Sequence, residues 1–283
     1  MMQRLDTRRL TRSFTPLRWA AFAFVVLVIL AATLAPWISP HDPLAQDIPR
    51  RFLPIGSPDH LLGTDEFGRD LLSRLLHGAR VELVVALGAS LVAAVLGITL
   101  GLLGGYFGRW VELLTMRTVE VILAFPPIVL ALLIVTIYGS GQSTLIVIMG
   151  LLFIPAFARL TFGQTLGVRS AEYVEAARAF AAPTGVILAR AILPNVSGAL
   201  IAQFPITLAN AILLGSGLSY LGLGITPPTP SWGGMVAAGQ RFMPVDPTML
   251  IISSIAVTLT VLSFGLLGDA LRDWLDPKSR RRR

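Results

Sequence analysis

Six stretches of this chain are each long and apolar enough to cross a bilayer: roughly 19–38, 83–106, 118–138, 144–160, 198–223 and 248–267. A spanning helix needs about 20 residues. In lipid every backbone N–H and C=O must find its partner inside the segment, so runs of this length are read as helices. The expected fold is therefore an all-α integral membrane protein of six transmembrane helices. Composition agrees, because 54% hydrophobic and 14% charged residues do not make a water-soluble globule.

Charge then orients the helices. A net charge of +7 would also suit a nucleic-acid binder, but the basic residues are not spread over one surface. They gather at Arg4, Arg8, Arg9, Arg12 and Arg18, in the tail at Lys278 and Arg280 to Arg283, and in short polar connections. With the N-terminus inside, every strongly basic segment falls on the cytoplasmic face, as the positive-inside rule requires. Six spans put both termini there, together with the connection 161–197. No nucleic-acid partner is expected. The first apolar run is longer than a secretory signal core and lacks a small-residue cleavage site, so it reads as an uncleaved helix. The expected organisation is a cytoplasmic arm (1–18), a first helix (19–38), an extracytoplasmic segment (39–82), a five-helix core (83–267) containing the cytoplasmic loop 161–197, and a basic tail (268–283) that favours anionic membrane lipids.

The spans carry more than an anchor needs. Gly88, Gly97, Gly101, Gly104 and Gly105, with Ala86, Ala89, Ala93 and Ala94, give the second span a surface for close helix approach. Pro126 and Pro127, Pro155 and Pro205 predict kinks in the third, fourth and fifth. No acid or base sits near the middle of a span, since Glu120 and Asp269 lie towards the inner ends and Glu82 towards the outer one. That argues against an ion-driven relay. The only lysine is Lys278, with no glycine spacing before it, so no phosphate-binding P-loop exists here. The chain is expected to be no enzyme and to hold no cofactor of its own.

Cysteine is absent, which excludes disulfides, thiol catalysis and Cys-ligated zinc. His41, His60 and His77 match no ligand spacing and read as surface residues. No metal site is expected.

Residues 170–195, SAEYVEAARAFAAPTGVILARAILPN, are polar enough for water yet lie between apolar spans. They read as two short helices about a bend. Ser170 is the expected cap of the first, with Glu172 and Glu175 at its positive end, and Thr184 the cap of the second. Pro194 predicts a stop at Leu193.

This stretch resembles the EAA loop of ABC importer permeases. That pattern begins Glu-Ala-Ala, places Gly six residues after the Glu, and closes on Ile/Leu-Leu-Pro. Glu175, Ala176 and Ala177 match, as do Ile192, Leu193 and Pro194. Ala181 stands at the Gly position, where a bend with φ > 0 would strain it.

Three further passages resemble the C-type permease of dipeptide, oligopeptide and nickel importers. Residues 62–74 match its LGTDxxGRDxxSR run through Gly63, Thr64, Asp65, Gly68, Arg69, Asp70 and Arg74. Their spacing is not that of an EF-hand. Asp65 and Asp70 are expected to pair with Arg69 and Arg74, fixing a turn and a short helix outside the membrane. Residues 219–233 match a Gly-rich run through Ser219, Tyr220, Gly222 and Gly224 to Pro227-Pro228 and Trp232. Backbone of this kind belongs at membrane depth only where it is packed or lines a cavity, and Trp232 is expected at the outer interface. Residues 268–277 match a GDxLRDxLDP ending, read as a short cytoplasmic helix.

The resemblance implies a type I ABC importer permease fold in a bacterial inner membrane, and peptide cargo. It also implies a second homologous permease as heterodimer partner, one or two ATPase subunits that hold ATP and Mg, and an extracytoplasmic binding protein. Glu175, Ala176, Ala177, Arg178, Ala181, Ile192, Leu193 and Pro194 would form the coupling surface, and Ser219, Tyr220, Gly222 and Gly224 would line the translocation path. Nickel or a metal chelate is the alternative cargo. A membrane assembly protein without transport is the alternative class.

Overall fold

The computed structural model describes residues 15–275. Among them regular structure is helical, apart from two isolated bridges, Ser57 with His60 and Thr64 with Asp70. The long helices are α1 (Pro16–Ile38), α2 (Leu71–Phe107), α3 (Arg109–Ala124), α4 (Pro127–Tyr138) and α5 (Gln142–Val168). A polar hairpin follows, made of α6 (Glu172–Ala179) and α7 (Thr184–Val186), which passes through π-helical Ile187–Ile192 into α8 (Leu193–Tyr220). Helices α9 (Trp232–Arg241) and α10 (Thr248–Leu275) complete the chain. The arm 1–14 and the tail 276–283, with its arginines, lie outside the described residues.

Five helices pass as single spans, and α3 with α4 supplies a sixth only if the pair counts as one. Where a kink in the third span was expected the chain turns sharply: α3 and α4 meet at 89°. Phe125 precedes Pro126 and takes an extended conformation (φ −92°, ψ 130°), and Pro126, itself before Pro127, stays non-helical too. Two consecutive prolines end one helix and start the next.

Elsewhere breaks were expected that do not occur. The helix at the start of the second span is not separate, because α2 runs unbroken for 37 residues from its Asp70 cap. Residues 268–275 of the C-terminal motif are likewise the last turns of α10. Nor does Pro194 stop a helix. The π-helical turn just before it offsets the carbonyls that its ring would otherwise meet, so the helix passes through.

Helices α2 and α5 pack along each other through the expected small residues. A Cβ at Gly97 would stand 2.7 Å from the Ile154 carbonyl oxygen, and one at Gly101 2.5 Å from that of Ala158. Gly105 lies equally close to Thr165. Nearer the start of α2, Val85, Ala86, Ala89, Leu145, Ile148, Met149 and Ile212 form a core with α8. Leu27, Val95, Leu133 and Ile251 point outward, as a lipid-facing surface requires.

Contacts sort the connections to two ends of the bundle. Arg18 Nη2 donates to Asp273 at 2.7 Å, joining the start of α1 to the end of α10. The end of α10 also approaches Gly198, just beyond the hairpin. The hairpin and both described ends of the chain thus share one end. At the other end, Trp232 of α9 donates its indole N–H to the Leu75 carbonyl at 3.0 Å, and Phe52 packs against Phe242.

Candidate functional site

The hairpin is a folded unit with its own core. Val174, Ile187 and Ile192 are fully buried, and they join Val196 and Leu200 of α8, Phe157 of α5 and Ala93 of α2. Alternate apolar positions thus turn inward, while Glu175, Ala176, Arg178, Ala179 and Ala181 turn out. Two polar contacts fasten it to α2. Arg178 lies over the Tyr106 ring, 4.7 Å from its centroid, and its Nε donates to the Tyr106 hydroxyl at 3.3 Å. Arg169 Nη1 donates to the Gly105 carbonyl at 3.1 Å.

The expected caps are not used. Ala171 occupies the N-cap of α6, and Thr184 is the first residue of α7 behind Pro183, with no capping bond from either side chain. The bend instead relies on backbone. Ala182 N–H bonds to Ala177 O and Ala181 N–H to Arg178 O, the paired bonds of a Schellman C-cap. That motif puts Ala181 at φ +54°, the left-handed region where Gly is at ease. Gly would hold this conformation freely, whereas Ala costs about 1–2 kcal/mol. Ala181→Gly is expected to raise the melting temperature of the purified protein, corresponding to about 1 kcal/mol. An unchanged or lower melting temperature would contradict the strain.

Of the eight residues assigned to coupling, Glu175, Ala176, Arg178, Ala181 and Pro194 are exposed, whereas Ala177 and Leu193 are half-buried. Ile192 is a correction. It is inaccessible and supports the hairpin from within. Sequence reasoning missed Phe180, which is 87% exposed at the tip, next to the bend. In the run 176–182 Phe180 is the one large apolar residue among alanines, which was its only signal.

The Gly-rich turn after α8 divides in two. Ser219 and Gly224 are buried against each other: Ser219 Oγ accepts from Ile225 N–H at 3.3 Å, and a Cβ at Gly224 would stand 2.1 Å from it. Tyr220 and Gly222 face outward, the Tyr220 hydroxyl bonded to Gln240 of α9. Tyr220 also borders an open apolar groove with Pro127, Phe153, Asn210 and Gly217. Trp232 is 2% exposed, packed on Gly78 inside the protein. Beside it Glu82 is buried, taking bonds from Ser216 Oγ at 3.3 Å and from the Trp232 and Gly233 backbone. This single carboxylate links α2, α8 and the start of α9.

In the segment before α2, Asp65 holds both arginines: Arg69 Nε at 2.6 Å and Arg74 Nε at 3.3 Å. Gly63 and Gly68 have φ +81° and +73°, and a Cβ at either would strike the carbonyl oxygen of Leu53 or Asp47. Asp70 departs from expectation. It caps α2, its Oδ2 accepting from Ser73 N–H at 2.8 Å and Ser73 Oγ at 2.6 Å, and its other oxygen faces His60 rather than an arginine. Burial pushes the Asp70 carboxyl up, but the bonds from Ser73 and His60 outweigh it and hold it below the usual carboxylate value. Two of the three histidines are not scattered either. His60 is buried, and its ring stacks on that of His41 at 4.7 Å.

A helical bundle with small-residue packing, a sharp turn between α3 and α4 and a folded polar hairpin fixed to three spans is the architecture of a membrane permease. A family model described as "Binding-protein-dependent transport system inner membrane component" matches residues 97–281, and one described as "N-terminal TM domain of oligopeptide transport permease C" matches residues 8–54. The glutathione transport system permease protein GsiD of Pectobacterium atrosepticum is 41% identical over 259 residues, covering 92% of this chain and 86% of that one. The di/tripeptide transport system permease protein DppC of Pseudomonas aeruginosa is 38% identical over 260 residues, covering 90% and 86%. In fold the chain is similar to the MetNI methionine ABC transporter solved in an inward-facing conformation, with a TM-score of 0.58, 18% identity, and coverage of 72% of this chain and 96% of that one. The chain belongs to the binding-protein-dependent transport system inner membrane components, as a multi-pass ABC importer permease of the inner membrane rather than an enzyme.

Proposed function

We propose that this chain is one of two related, non-identical permease subunits of an ATP-driven importer of small peptides, and that a separate ATPase grips it by the hairpin 170–195. The observation that carries this is the hairpin itself: polar outside, apolar inside, and fastened at Arg169 and Arg178 to the end of α2. A surface so fixed moves with the spans it rests on. When ATPase subunits close on ATP and Mg, the hairpin is drawn with them, and α2, α5 and α8 re-orient as rigid bodies around the path. Glu175, Arg178 and Ala181 meet the ATPase, with Phe180 as an apolar knob for its groove. Tyr220 and Gly222 border the path at the opposite end, where a binding protein delivers cargo.

Orientation follows from charge. The end that carries the hairpin, the start of α1 and the end of α10 is also the basic one, and so faces the cytoplasm. Cargo follows from the relatives, named for glutathione and for di- and tripeptides. All are small peptides.

Because the chain has no cysteine, single substitutions report sidedness without background. Phe180→Cys should react with an impermeant thiol reagent only from the cytoplasmic side, and Leu61→Cys only from the outside. Reaction at Phe180→Cys from outside would overturn the coupling role. Uptake of labelled dipeptide by the assembled transporter checks the cargo, and uptake of nickel without dipeptide would reassign it. Phe180→Ala is expected to lower ATPase co-purification several-fold while leaving the level of inserted permease unchanged. Equal co-purification would remove Phe180 from the interface.

A further inference from the structure

We infer that His41, His60 and Asp70 form a binding site for a zinc-class divalent cation, a resident ion that pins the exit of α1 to the start of α2. These residues come from three separate points of the 39–70 segment, and each offers one ligand atom within 4.8 Å of the others. The two imidazoles stack 29° from parallel and direct Nδ1 at the same oxygen, Asp70 Oδ1, at 3.0 Å from His60 and 3.8 Å from His41. A tetrahedral zinc ion with ligands at about 2.0–2.1 Å separates them by roughly 3.3 Å. The two distances bracket that value and all three ligand atoms lie within 4.8 Å of one another, so a turn of the half-buried His41 ring out of the stack closes the set around an ion.

The donor set is the one zinc prefers, two imidazoles and a carboxylate with a fourth position left for water. His41 Nδ1 is shut away from solvent and has no hydrogen-bond partner, an arrangement that costs free energy unless something binds there. The ligands are held from behind. Ser73 fixes Asp70 Oδ2, which turns Oδ1 towards the two imidazoles, and Ser73 Oγ also accepts the His41 backbone N–H at 3.1 Å. Such outer contacts orient ligands and raise metal affinity. Neighbouring positive charge is offset, because Arg69 and Arg74 face the two carboxylates of Asp65 and Glu66. Asp70 offsets the positive end of α2. The cluster borders neither the Tyr220 groove nor the hairpin, so the ion is a staple rather than cargo, and the inference holds whichever way the bundle is oriented.

The test uses the full-length chain, purified and stripped with EDTA. Cobalt(II) should give the intense visible bands of a low-coordinate site at one equivalent, and zinc should displace it and raise the melting temperature. His41→Phe keeps the stacked ring but removes the nitrogen. It should melt like the stripped wild type, lose the zinc-induced rise, and bind at least about tenfold more weakly. His60→Gln should lose affinity likewise, whereas His77→Ala, outside the cluster, should bind as wild type does. Absence of the cobalt bands in the wild type, or undiminished affinity in His41→Phe, would overturn the site.

Discussion

Glu175→Lys is expected to reduce ATP-driven dipeptide uptake to the level of a strain lacking the permease, while the amount of inserted protein stays the same. The contrast rests on magnitudes. Glu175 lies in the first turn of an eight-residue helix with its side chain exposed. Reversing a charge against the helix dipole at such a site costs about 0.3–1 kcal/mol, and the hairpin core of Val174, Ile187 and Ile192 is untouched. At an interface the same reversal is of a different order. A charge matched to its partner becomes a like-charge contact, which costs several kcal/mol and rejects the partner. Membrane fractionation measures insertion, labelled-peptide uptake measures function, and co-purification of the ATPase connects the two. Uptake near the wild-type level would sink the coupling role of the hairpin. Loss of uptake with undiminished ATPase binding would place Glu175 in transmission of the stroke rather than in docking.

Much of this molecule was legible in sequence because lipid allows so few solutions. Runs of 20 apolar residues had to be helices, and the glycines of α2 had to meet another helix closely, as they do at α5. The hairpin was legible because polar residues between spans have only one place to go. What sequence concealed was the outcome of local competition. A Pro-Pro pair turned the chain sharply where one proline would have bent a helix, and Pro194 was harmless because a π-turn precedes it. Ser170 and Thr184 are good capping residues, but a Schellman bend and Pro183 set the ends instead. Long-range partners were the least legible. Asp70 reached back to His60 and His41 rather than to the arginine four residues on, because Asp65 had already taken both arginines. Trp232 is buried for the same kind of reason: Gly78, remote in sequence, leaves room for its ring.

The packing of α2 on α5 predicts the largest effect on stability. Gly101→Leu is expected to remove most of the folded protein from the membrane, whereas Gly163→Leu on the same interface partner, α5, is tolerated. At Gly101 a Cβ alone would stand 2.5 Å from both the Ala158 carbonyl oxygen and the Thr161 Cβ, and backbone cannot step aside as a flexible side chain can. Gly163 is exposed and has nothing within 4 Å of such an atom. Overpacking in a close-packed interior costs about 1–3 kcal/mol, and a branched side chain against two fixed helices falls at or above the upper end. In water the hydrophobic effect would still press the helices together. Lipid is as apolar as leucine, so here the contact depends on van der Waals fit itself. The separation would also reach the hairpin, because Arg169 and Arg178 hold it to the last turn of α2, where Gly105 and Tyr106 lie four and five residues beyond Gly101. Melting of the purified variants and ATPase co-purification measure the two consequences, and both should fall for Gly101→Leu. A Gly101→Leu protein that melts like the wild type would mean that α2 and α5 are free to separate without loss, contrary to the interlocked packing at Gly97, Gly101 and Gly105.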